Sequence, residues 1–328
     1  MGTGAVGIFG SLRDPQVRAV GGEVTRLGGQ ALLLANDALE RQRPVSSWQG
    51  NVTMDGCSGM DCQAVYVRAI PSPHPPVIPE GDTLVLHKTW YTKFMQARER
   101  SGFFLALLLS LEHAGIRVVN PPQAGAALQH KPFQLDVLRR LGADLPRTLI
   151  SNDPERIRAF HASESAQNEE VIFKPLLGGA ITRVLDAEAL GRLERVRQAP
   201  VIFQQRIRGD DIRVILVGDR VVSAVAIRTP VPHLDFRADP IYSGGHACYE
   251  RVVLPPRVEA ICKGAARACG LPFTGIDIKH TAEDGWFFLE LNSSPTYMDV
   301  ERKTGDPISR ALAQFLLGIS DAPQPNGM

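Results

Sequence analysis

The sequence lacks a charge imbalance, because 36 lysines and arginines stand against 35 acidic residues in a chain of 328 residues. A nearly neutral chain has no broad electrostatic field that would attract nucleic acid or an anionic membrane. We therefore expect no nucleic-acid partner and no membrane partner, and favour a small molecule or a peptide. The chain is long enough for two or three packed lobes.

Cysteines are few, and none of them forms a C-x-x-C pair. They are Cys57, Cys62, Cys248, Cys262 and Cys269. Their odd number leaves at least one free thiol, which fits a reducing compartment and predicts a cytoplasmic location. A zinc site could be imagined from the first two cysteines and His74, but the spacing differs from zinc motifs, so ordinary thiols are favoured.

Long hydrophobic runs and targeting signals are also missing. The longest apolar stretch, residues 103–111, is about half of the roughly 20 residues that a membrane span needs, so it predicts a buried helix. No charged segment followed by an apolar core opens the chain, so we expect no secretion signal. Gly10-Ser11 is only a weak phosphate-binding signal, because the full G-x-G-x-x-G pattern is absent.

The amino-terminal part of the chain shows the pattern of a β-α-β unit, which predicts a parallel sheet. Between these elements, residues 41–63 are rich in small and polar side chains and predict a long surface excursion or an exposed hairpin. The predicted strands are 5–9, 31–34, 64–68 and 116–119, and the predicted helices are 15–27 and 94–114.

The remainder of the chain predicts alternating helices and strands, and one lysine in it carries a specific signal. Lys174 ends the apolar strand 171–174 just before two glycines, where an ammonium is costly unless it meets an anion. Lys174 is thus a phosphate-binding candidate, with an ordinary surface lysine as the equal alternative. The predicted helices are 131–141, 153–161, 187–197, 256–269 and 308–317, and the other predicted strands are 146–150 and 201–205.

A first hairpin is predicted to turn at Gly218-Asp219. Pairing residues about that turn places Asp211, Arg213 and Arg228 on one face, with Ala224 and Ala226 between them as room for a ligand. The guanidinium fork suits phosphate or carboxylate, but on these residues alone an exposed sheet with salt bridges is the favoured interpretation. The opposite face is predicted to be core and holds Ile212, Val214, Leu216, Val225 and Ile227.

A second hairpin, with predicted strands 273–280 and 286–292, has the strongest signal in the sequence. If it turns between Glu283 and Asp284, Asp277 faces Glu290 and Asn292 lies diagonally beside them. Two facing carboxylates repel each other unless a cation joins them, and oxygen ligands of this kind suit Mg²⁺. The alternative is a solvated face with two unrelated acids, which the apolar residues at the alternate positions disfavour.

These motifs occur together in the order that is found in ATP-grasp enzymes, and the chain most resembles the RimK-type carboxylate–amine ligases over residues 120–320. The motifs are N-P, a lysine that opens a helix, K-P-L-x-G-G, Q-Q-x-I, D-I-R-V, D-F-R, S-G-G, G-I-D-I and L-E-L-N-S-S-P. The resemblance implies a mixed α/β and α+β architecture, namely an ATP-grasp fold with an N-terminal parallel α/β (pre-grasp) domain. The implied domains are residues 1–119, the central subdomain 120–204, the carboxyl-terminal subdomain 205–320 and a flexible tail 321–328.

The resemblance also implies a role for each matching residue. Lys131 and Lys174 would hold the phosphates of ATP, and Asp211 would contact the ribose. Gln204, Gln205 and Ile207 would line the adenine. Arg213, Arg228 and Arg237 would act in catalysis, facing the transferred phosphate and the acyl substrate, with Arg237 also a nucleotide contact. Asp277, Glu290 and Asn292 would bind two Mg²⁺ ions, with Mn²⁺ as an alternative metal.

The implied reaction is ATP-dependent: a substrate carboxylate is phosphorylated to an acylphosphate, and an amine then displaces phosphate to form an amide. The expected substrates are small amino acids or peptides, and a homo-oligomer is an open option. Two other interpretations stay open, a non-catalytic ATP-binding protein of synapsin type and an ATP-grasp kinase for a small molecule. The shorter glycine loop, Leu177-Gly178-Gly179-Ala180, is the feature that favours the non-catalytic protein.

Overall fold

The computed structural model describes residues 4–48, 51–74, 83–177, 181–228 and 247–319. The chain divides into two compact units. The first unit comprises Met1–Pro122, Thr296–Met298 and Pro307–Met328, and the second comprises Gln123–Pro295 and Asp299–Asp306. The finer division at residues 120–204 and 205–320 stays a prediction, and the tail 321–328 lies outside the described residues. Within the described ranges, no helix is long and apolar enough to cross a membrane.

The helices are named in chain order. They are α1 (Pro15–Arg26), α2 (Thr83–His113), α3 (Pro122–Leu128), α4 (Lys131–Arg140), α5 (Pro154–Ser165), α6 (Ala187–Gly191), α7 (Pro256–Ala268), α8 (Met298–Thr304) and α9 (Ile308–Leu317). Short 3₁₀ helices cover Gly59–Asp61 and Leu193–Gln198. The helix predicted at 187–197 is therefore split, and α3 and α8 were not predicted.

The first unit contains a parallel sheet with the strand order β2-β1-β6-β7 and a smaller antiparallel sheet with the order β3-β4-β5. Its strands are β1 (Ala5–Gly10), β2 (Gln30–Ala35), β3 (Val45–Trp48), β4 (Asn51–Met54), β5 (Cys57–Ser58), β6 (Cys62–Val67) and β7 (Arg117–Val119). The predicted parallel sheet is thus confirmed.

Helix α1 shows why the β-α-β signal was readable. Asp14 caps the helix by accepting a hydrogen bond from the Gln16 backbone N–H at 2.8 Å, as short polar residues do at helix starts. The helix then buries Val17, Val20 and Val24 at helical spacing. Fully burying a side chain of this size stabilises the fold by about 1.5–3 kcal/mol.

The predicted excursion at 41–63 contains a hairpin with one buried side. Strands β3 and β4 pair antiparallel, and the Val52 and Met54 side chains of β4 are buried in the core of the first unit, whereas Trp48 is 74% exposed. The predicted hairpin is therefore present, but one of its faces is buried in the core and only the other is exposed.

Helix α2 begins at Thr83, earlier than the predicted start at residue 94. Trp90, Tyr91 and the other residues of the stretch 89–93 are exposed, so this stretch carries no buried stripe from which apolar periodicity could be read. The Trp90 ring instead stacks on Phe94 one turn later, with 5.1 Å between ring centroids.

The second unit contains two antiparallel sheets, with the strand orders β10-β9-β11-β8 and β14-β13-β12-β15-β16. Its strands are β8 (Thr148–Ser151), β9 (Val171–Lys174), β10 (Arg183–Val184), β11 (Val201–Gln205), β12 (Asp210–Val217), β13 (Arg220–Arg228), β14 (Cys248–Arg251), β15 (Phe273–His280) and β16 (Trp286–Asn292). Strands β10 and β14 were not predicted.

One face of the five-stranded sheet is covered by α7 and forms the larger core of the second unit. Ile212, Val214 and Ile276 of the sheet are buried in one cluster with Ile261 and Ala265 of the helix. The four-stranded sheet has a separate core, in which Ile157 of α5 packs with side chains of β9 and β11. The other face carries the polar side chains of Arg213 and Asp277 together with buried apolar residues such as Ile215 and Val225.

Candidate functional site

The candidate site is built on β15 and β16, which lie at one end of the five-stranded sheet. Asp277 lies directly opposite Glu290, and Gly275 lies opposite Asn292. Because every second side chain of a strand points to the same face, the two carboxylates and the amide share one face of the sheet. The predicted facing pair is confirmed.

The pairing arises from a turn and a bulge that compensate for each other. Near the turn, His280 pairs with Trp286 and Ile278 pairs with Phe288, so the hairpin is centred on Glu283. The register then shifts between Asp277 and Ile278, which leaves one extra residue on β16. The hairpin is centred half a residue from the predicted position, and the bulge restores the predicted pair of acids.

Asn292 is held beside Asp277 by direct contacts. Its Nδ2 donates to Asp277 Oδ2 at 3.1 Å, and its backbone carbonyl accepts from Thr274 Oγ1 at 3.0 Å. Gly275, directly opposite, leaves space for the chain after β16: a Cβ there would lie 2.7 Å from Pro295 Cβ. The site therefore requires a glycine at this position.

Both carboxylates are paired with basic side chains. Arg213 of β12 lies opposite Asp277 and donates to it through Nε and Nη2. Lys131, the first residue of α4, donates to Glu290 from Nζ. These side chains are all largely buried; Arg213 and Asp277, for example, are 9% and 13% exposed. The basic side chains thus offset the repulsion between the two acids.

Opposing influences act on the charge of Asp277. Burial raises the pKa of its carboxyl group and the Arg213 guanidinium lowers it, while the neighbouring Glu290 raises it again, leaving the pKa above its ordinary value. A carboxylate in this position gains from added positive charge, whether from an arginine or from a cation. The cluster is therefore suited to a charged ligand.

Gln134 of α4 fixes β16 between the two predicted metal ligands. Its side chain is 3% exposed, its Oε1 accepts from the Leu291 backbone N–H at 2.8 Å, and its Nε2 donates to the Leu128 carbonyl. Leu291 stands between Glu290 and Asn292 in the chain. Helix α4 therefore contacts the site twice, through Lys131 and through Gln134.

The predicted face of Arg228 is wrong. The β12–β13 pairing begins as expected at the turn but shifts between Ile215 and Leu216, so that Arg213 faces Val225 and Ile212 faces Ala226. Ala224 and Ala226 consequently belong to the core and leave no room for a ligand. Arg228 shares their face, where it pairs with Asp210 and Glu250.

The four-stranded sheet carries Lys174 and Gln204 on one face, since Lys174 pairs with Ile202 and Gln204 with Ile172. Gln204 Nε2 donates to Thr148 Oγ1 at 2.8 Å. The backbone N–H of Lys131 donates to the carbonyl of Leu176 at 3.4 Å, which brings the start of α4 next to the end of β9. The two lysines predicted to hold phosphate thus belong to neighbouring segments.

Gln205 and Ile207 lie where the chain passes from β11 to β12. The Gln205 backbone N–H donates to the Arg147 carbonyl at 2.9 Å, and its side-chain Oε1 accepts from the Arg147 N–H at 3.4 Å. Its side chain is on the opposite face from Gln204, because successive strand residues alternate. Arg237, Gly178, Gly179, Ala180 and His246 lie outside the described residues.

Sequence reasoning missed two polar residues that serve the site. Lys279 of β15 donates to Asp211 Oδ1 at 2.9 Å, and Gln134 supports β16 as described above. The alternation that placed Asp277 also put Lys279 on the same face, which was an available signal. Gln134 gave only the weak signal of a polar residue among the apolar positions of α4.

The donor chemistry of the site fits Mg²⁺. Two carboxylates and one amide offer hard oxygen ligands, which is the set that Mg²⁺ accepts. In the described part of the chain, no group of three His, Cys, Asp or Glu side chains is arranged to hold a metal. The five cysteines are free thiols, and burial raises the pKa of Cys62 to about 11, so that this thiol stays protonated at neutral pH.

A groove of about 490 Å³ lies on the helix-covered face of the four-stranded sheet. Its lining includes Phe173, Phe203, Val196, Arg183 and Arg192. Among the residues of the groove lining that the structure describes, none is predicted to bind ATP or metal.

Comparison with known proteins gives a consistent result. A model of the RimK-like ATP-grasp domain matches residues 129–316. The chain is 29% identical over 230 residues to a probable alpha-L-glutamate ligase 2 of Shewanella amazonensis, spanning 67% of this chain and 74% of that protein.

Similarity to solved structures extends over nearly the whole chain. The ATP-grasp ligase PsnB complexed with its minimal precursor matches with a TM-score of 0.81 and 32% identity, covering 97% of this chain and 100% of that one. PsnB complexed with minimal precursor, Mg and ADP matches with a TM-score of 0.78 and 33% identity, covering 96% of each chain.

Proposed function

We propose that the substrate of this chain is a peptide. The premise is that the chain belongs to the RimK-like ATP-grasp family and is an ATP-dependent carboxylate–amine ligase. The observation that carries the proposal is the similarity to PsnB. PsnB complexed with the precursor peptide PsnA2 is 32% identical to this chain and covers 97% of it. A peptide bound by a protein similar over nearly the whole chain supports a peptide substrate here.

ATP is the phosphoryl donor, and we assign its contacts to both sheets of the second unit. Asp211 of the five-stranded sheet contacts the ribose, and Gln204, Gln205 and Ile207 line the adenine. Lys131 and Lys174 hold the phosphates, an assignment supported by the hydrogen bond between the segments that carry them. Ammonium groups so placed neutralise charge without chemistry of their own.

We assign Asp277, Glu290 and Asn292 to Mg²⁺, with two ions bound and Mn²⁺ able to replace them. The metal supplies positive charge against the phosphate oxygens of ATP. Arg213 and Lys131 offset the charge of these carboxylates, so both basic side chains lie where phosphate oxygens are expected to bind.

The reacting groups belong to the substrate. An oxygen of its carboxylate attacks the γ-phosphorus of ATP, ADP leaves, and an acylphosphate is formed; the amine then attacks the acyl carbon and expels phosphate. Arg213 and Arg237 orient the transferred phosphate and the acyl group by hydrogen bonding. We omit Arg228 from this set because its side chain is on the core face.

Three broader expectations accompany this proposal. The free cysteines support a cytoplasmic location. Each of the predicted subdomains, 120–204 and 205–320, contains one of the two antiparallel sheets, which supports this division. A homo-oligomer is the proposed assembly, and light scattering of the purified chain tests it.

Substrate class is tested by measuring ADP release with Mg²⁺ and ATP in the presence of two panels. One panel holds peptides with both acidic side chains and amines, and the other holds free amino acids, singly and in pairs. The Asp277→Asn, Glu290→Gln double variant is the matched control, because it keeps the size of both side chains while removing their charge. Mass spectrometry of the products identifies the bond formed.

The proposal predicts ADP release with peptides, none with the double variant, and a peptide product lighter by one water. Turnover with free amino acids alone would instead identify a free amino-acid ligase. A peptide product heavier by one phosphate would indicate a kinase. ATP binding without turnover by either panel would favour the non-catalytic protein.

A further inference from the structure

Lys279 is a largely but not fully buried lysine that has no role in the proposed reaction. Its side chain is 13% exposed, and its Nζ contacts Asp211 Oδ1 at 2.9 Å and the Gly209 carbonyl at 3.1 Å. Lys279 lies opposite Asp211 in the β12–β15 pairing. A lysine ammonium is costly to bury unless its charge and its donors are matched, and here Asp211 and Gly209 match them.

The segment that Lys279 contacts is also held by a close backbone approach. Gly209 has φ +152°, and a Cβ on it would lie 2.2 Å from the His280 carbonyl oxygen. Only glycine permits this conformation and this distance. The start of β12 is therefore fixed against β15 at two points, by the bare backbone of Gly209 and by the ammonium of Lys279.

The neighbouring charges are already paired with each other. Arg213 contacts Asp277 and Lys131 contacts Glu290, so the ammonium of Lys279 is directed to Asp211. With Oδ1 hydrogen-bonded to Nζ, rotation of the Asp211 carboxylate is restricted. A carboxylate held in one orientation loses less freedom when it accepts hydrogen bonds from a ligand.

We propose that Lys279 is a positioning residue for nucleotide recognition, which orients the Asp211 carboxylate toward the ribose hydroxyls of ATP. This inference rests on the proposed function, in which Asp211 contacts the ribose. It makes Lys279 a determinant of preference for nucleotides with ribose hydroxyls, without a direct contact to the phosphates.

The experiment compares the affinities of ATP and 2′,3′-dideoxy-ATP, measured by calorimetry with Mg²⁺ and no peptide. The variants are Lys279→Met, Lys279→Arg and Asp211→Asn. Lys263→Met is the matched control, because Lys263 pairs with Glu259 within helix α7, away from the site. Thermal unfolding of each variant reports whether the fold is retained.

The wild-type chain is expected to prefer ATP over the dideoxy nucleotide by roughly ten-fold or more, as expected for hydrogen bonds to a charged group. Lys279→Met is expected to bind ATP roughly ten-fold more weakly and the dideoxy nucleotide unchanged. Asp211→Asn should lose the same preference, whereas Lys279→Arg should restore most of it and Lys263→Met should keep it.

An equal loss of affinity for both nucleotides in Lys279→Met would overturn the inference, because Lys279 would then act on a part of ATP that both share. A wild-type chain that binds both nucleotides equally would overturn it while leaving the proposed ligase intact. A wild-type chain that binds neither would reject both. If Lys279→Met does not fold, Lys279→Gln is used with the same expectations.

Discussion

Two hairpins of one sheet distribute their charges differently. The β15–β16 hairpin keeps both acids, Asp277 and Glu290, on the candidate site face. The β12–β13 hairpin divides its charges between the faces: Arg213 is on the site face, and Arg228 pairs with Asp210 on the core face. The site-face pair of Arg213 and Asp277 is 9% and 13% exposed, whereas Arg228 and Asp210 are 42% and 41% exposed.

Because of this difference in burial, the two ion pairs are expected to contribute different amounts to the free energy of unfolding. An exposed ion pair contributes about 0.2–1 kcal/mol, because water and ions screen it. Removing one partner of a buried pair costs about 3–5 kcal/mol, because the other charge is left uncompensated. The same type of contact, arginine with aspartate, is therefore expected to differ several-fold in consequence between the two faces.

The largest expected effect is that of Arg213→Met. The substitution leaves Asp277 buried beside Glu290 without its cation, so we expect the unfolding free energy to fall by about 3–5 kcal/mol. Denaturant unfolding without nucleotide measures it. Adding Asp277→Asn to Arg213→Met should recover part of the lost stability. If Arg213→Met alone is as stable as the wild type, the ion pair is not effectively buried.

Gln134→Leu is expected to have the next largest effect. It leaves the Leu291 backbone N–H buried and unpaired, which costs about 1–3 kcal/mol. Gln129→Leu on the exposed surface is the matched control. We also expect weaker Mg²⁺-dependent ATP binding in Gln134→Leu only; equal behaviour of the two variants would argue against a support role for Gln134.

The register shift in the β12–β13 pair leaves Val222 as an extra residue on β13, beside Ser223. This bulge is expected to depend on Asp306, which accepts from Ser223 at 2.6 Å and from Arg251 at 2.8 Å. Burial raises the pKa of Asp306, but these hydrogen bonds lower it by more, so the pKa lies below its ordinary value. Its stabilisation is therefore complete above the unfolded-state pKa of about 3.9 and is lost as the pH falls through the lower folded-state pKa.

Unfolding titrations from pH 7 to acid should accordingly show Asp306→Asn less stable by about 1 kcal/mol at neutral pH. The difference between the variant and the wild type should shrink at low pH. A constant difference at every pH would mean that the charge of Asp306 is not involved.

The smallest expected effect is that of Arg228→Met, the exposed counterpart of Arg213→Met. Loss of its pairs with Asp210 and Glu250 should cost about 0.2–1 kcal/mol. Peptide-dependent ADP release tests the face assignment: abolished release in a stable Arg228→Met variant would return Arg228 to the reacting site.

Turns could be located from the sequence more reliably than the registers beyond them. The prediction placed the β12–β13 turn correctly, but an extra residue on β13 reverses the faces of Ala224, Ala226 and Arg228. In β15–β16 the predicted centre was displaced, and the bulge on β16 brought Asp277 back opposite Glu290. Bulges are set by tertiary packing, which local pattern does not record.

Contacts between distant segments explain what else was missed. Gln134 and Leu291 are far apart in the chain, and so are Lys279 and Asp211, so neither pairing has a local signature. The motifs of the family were sufficient for the fold class, ATP and Mg²⁺, because each of them is a short local run of sequence that can be read without knowing the tertiary contacts. The roles of individual site residues stay predictions, since contacts to bound ATP would be needed to test them.

Strand β16 is the last strand in the order of its sheet, and such an edge can pair with another chain. Two of its backbone N–H groups are occupied by groups outside the sheet: Phe288 donates to the Asp144 carbonyl at 2.9 Å, and Leu291 donates to Gln134 Oε1 at 2.8 Å. The contacts that fix Glu290 and Asn292 therefore also close a route to aggregation. A single side chain, Gln134, thus both supports the candidate site and blocks part of a sheet edge.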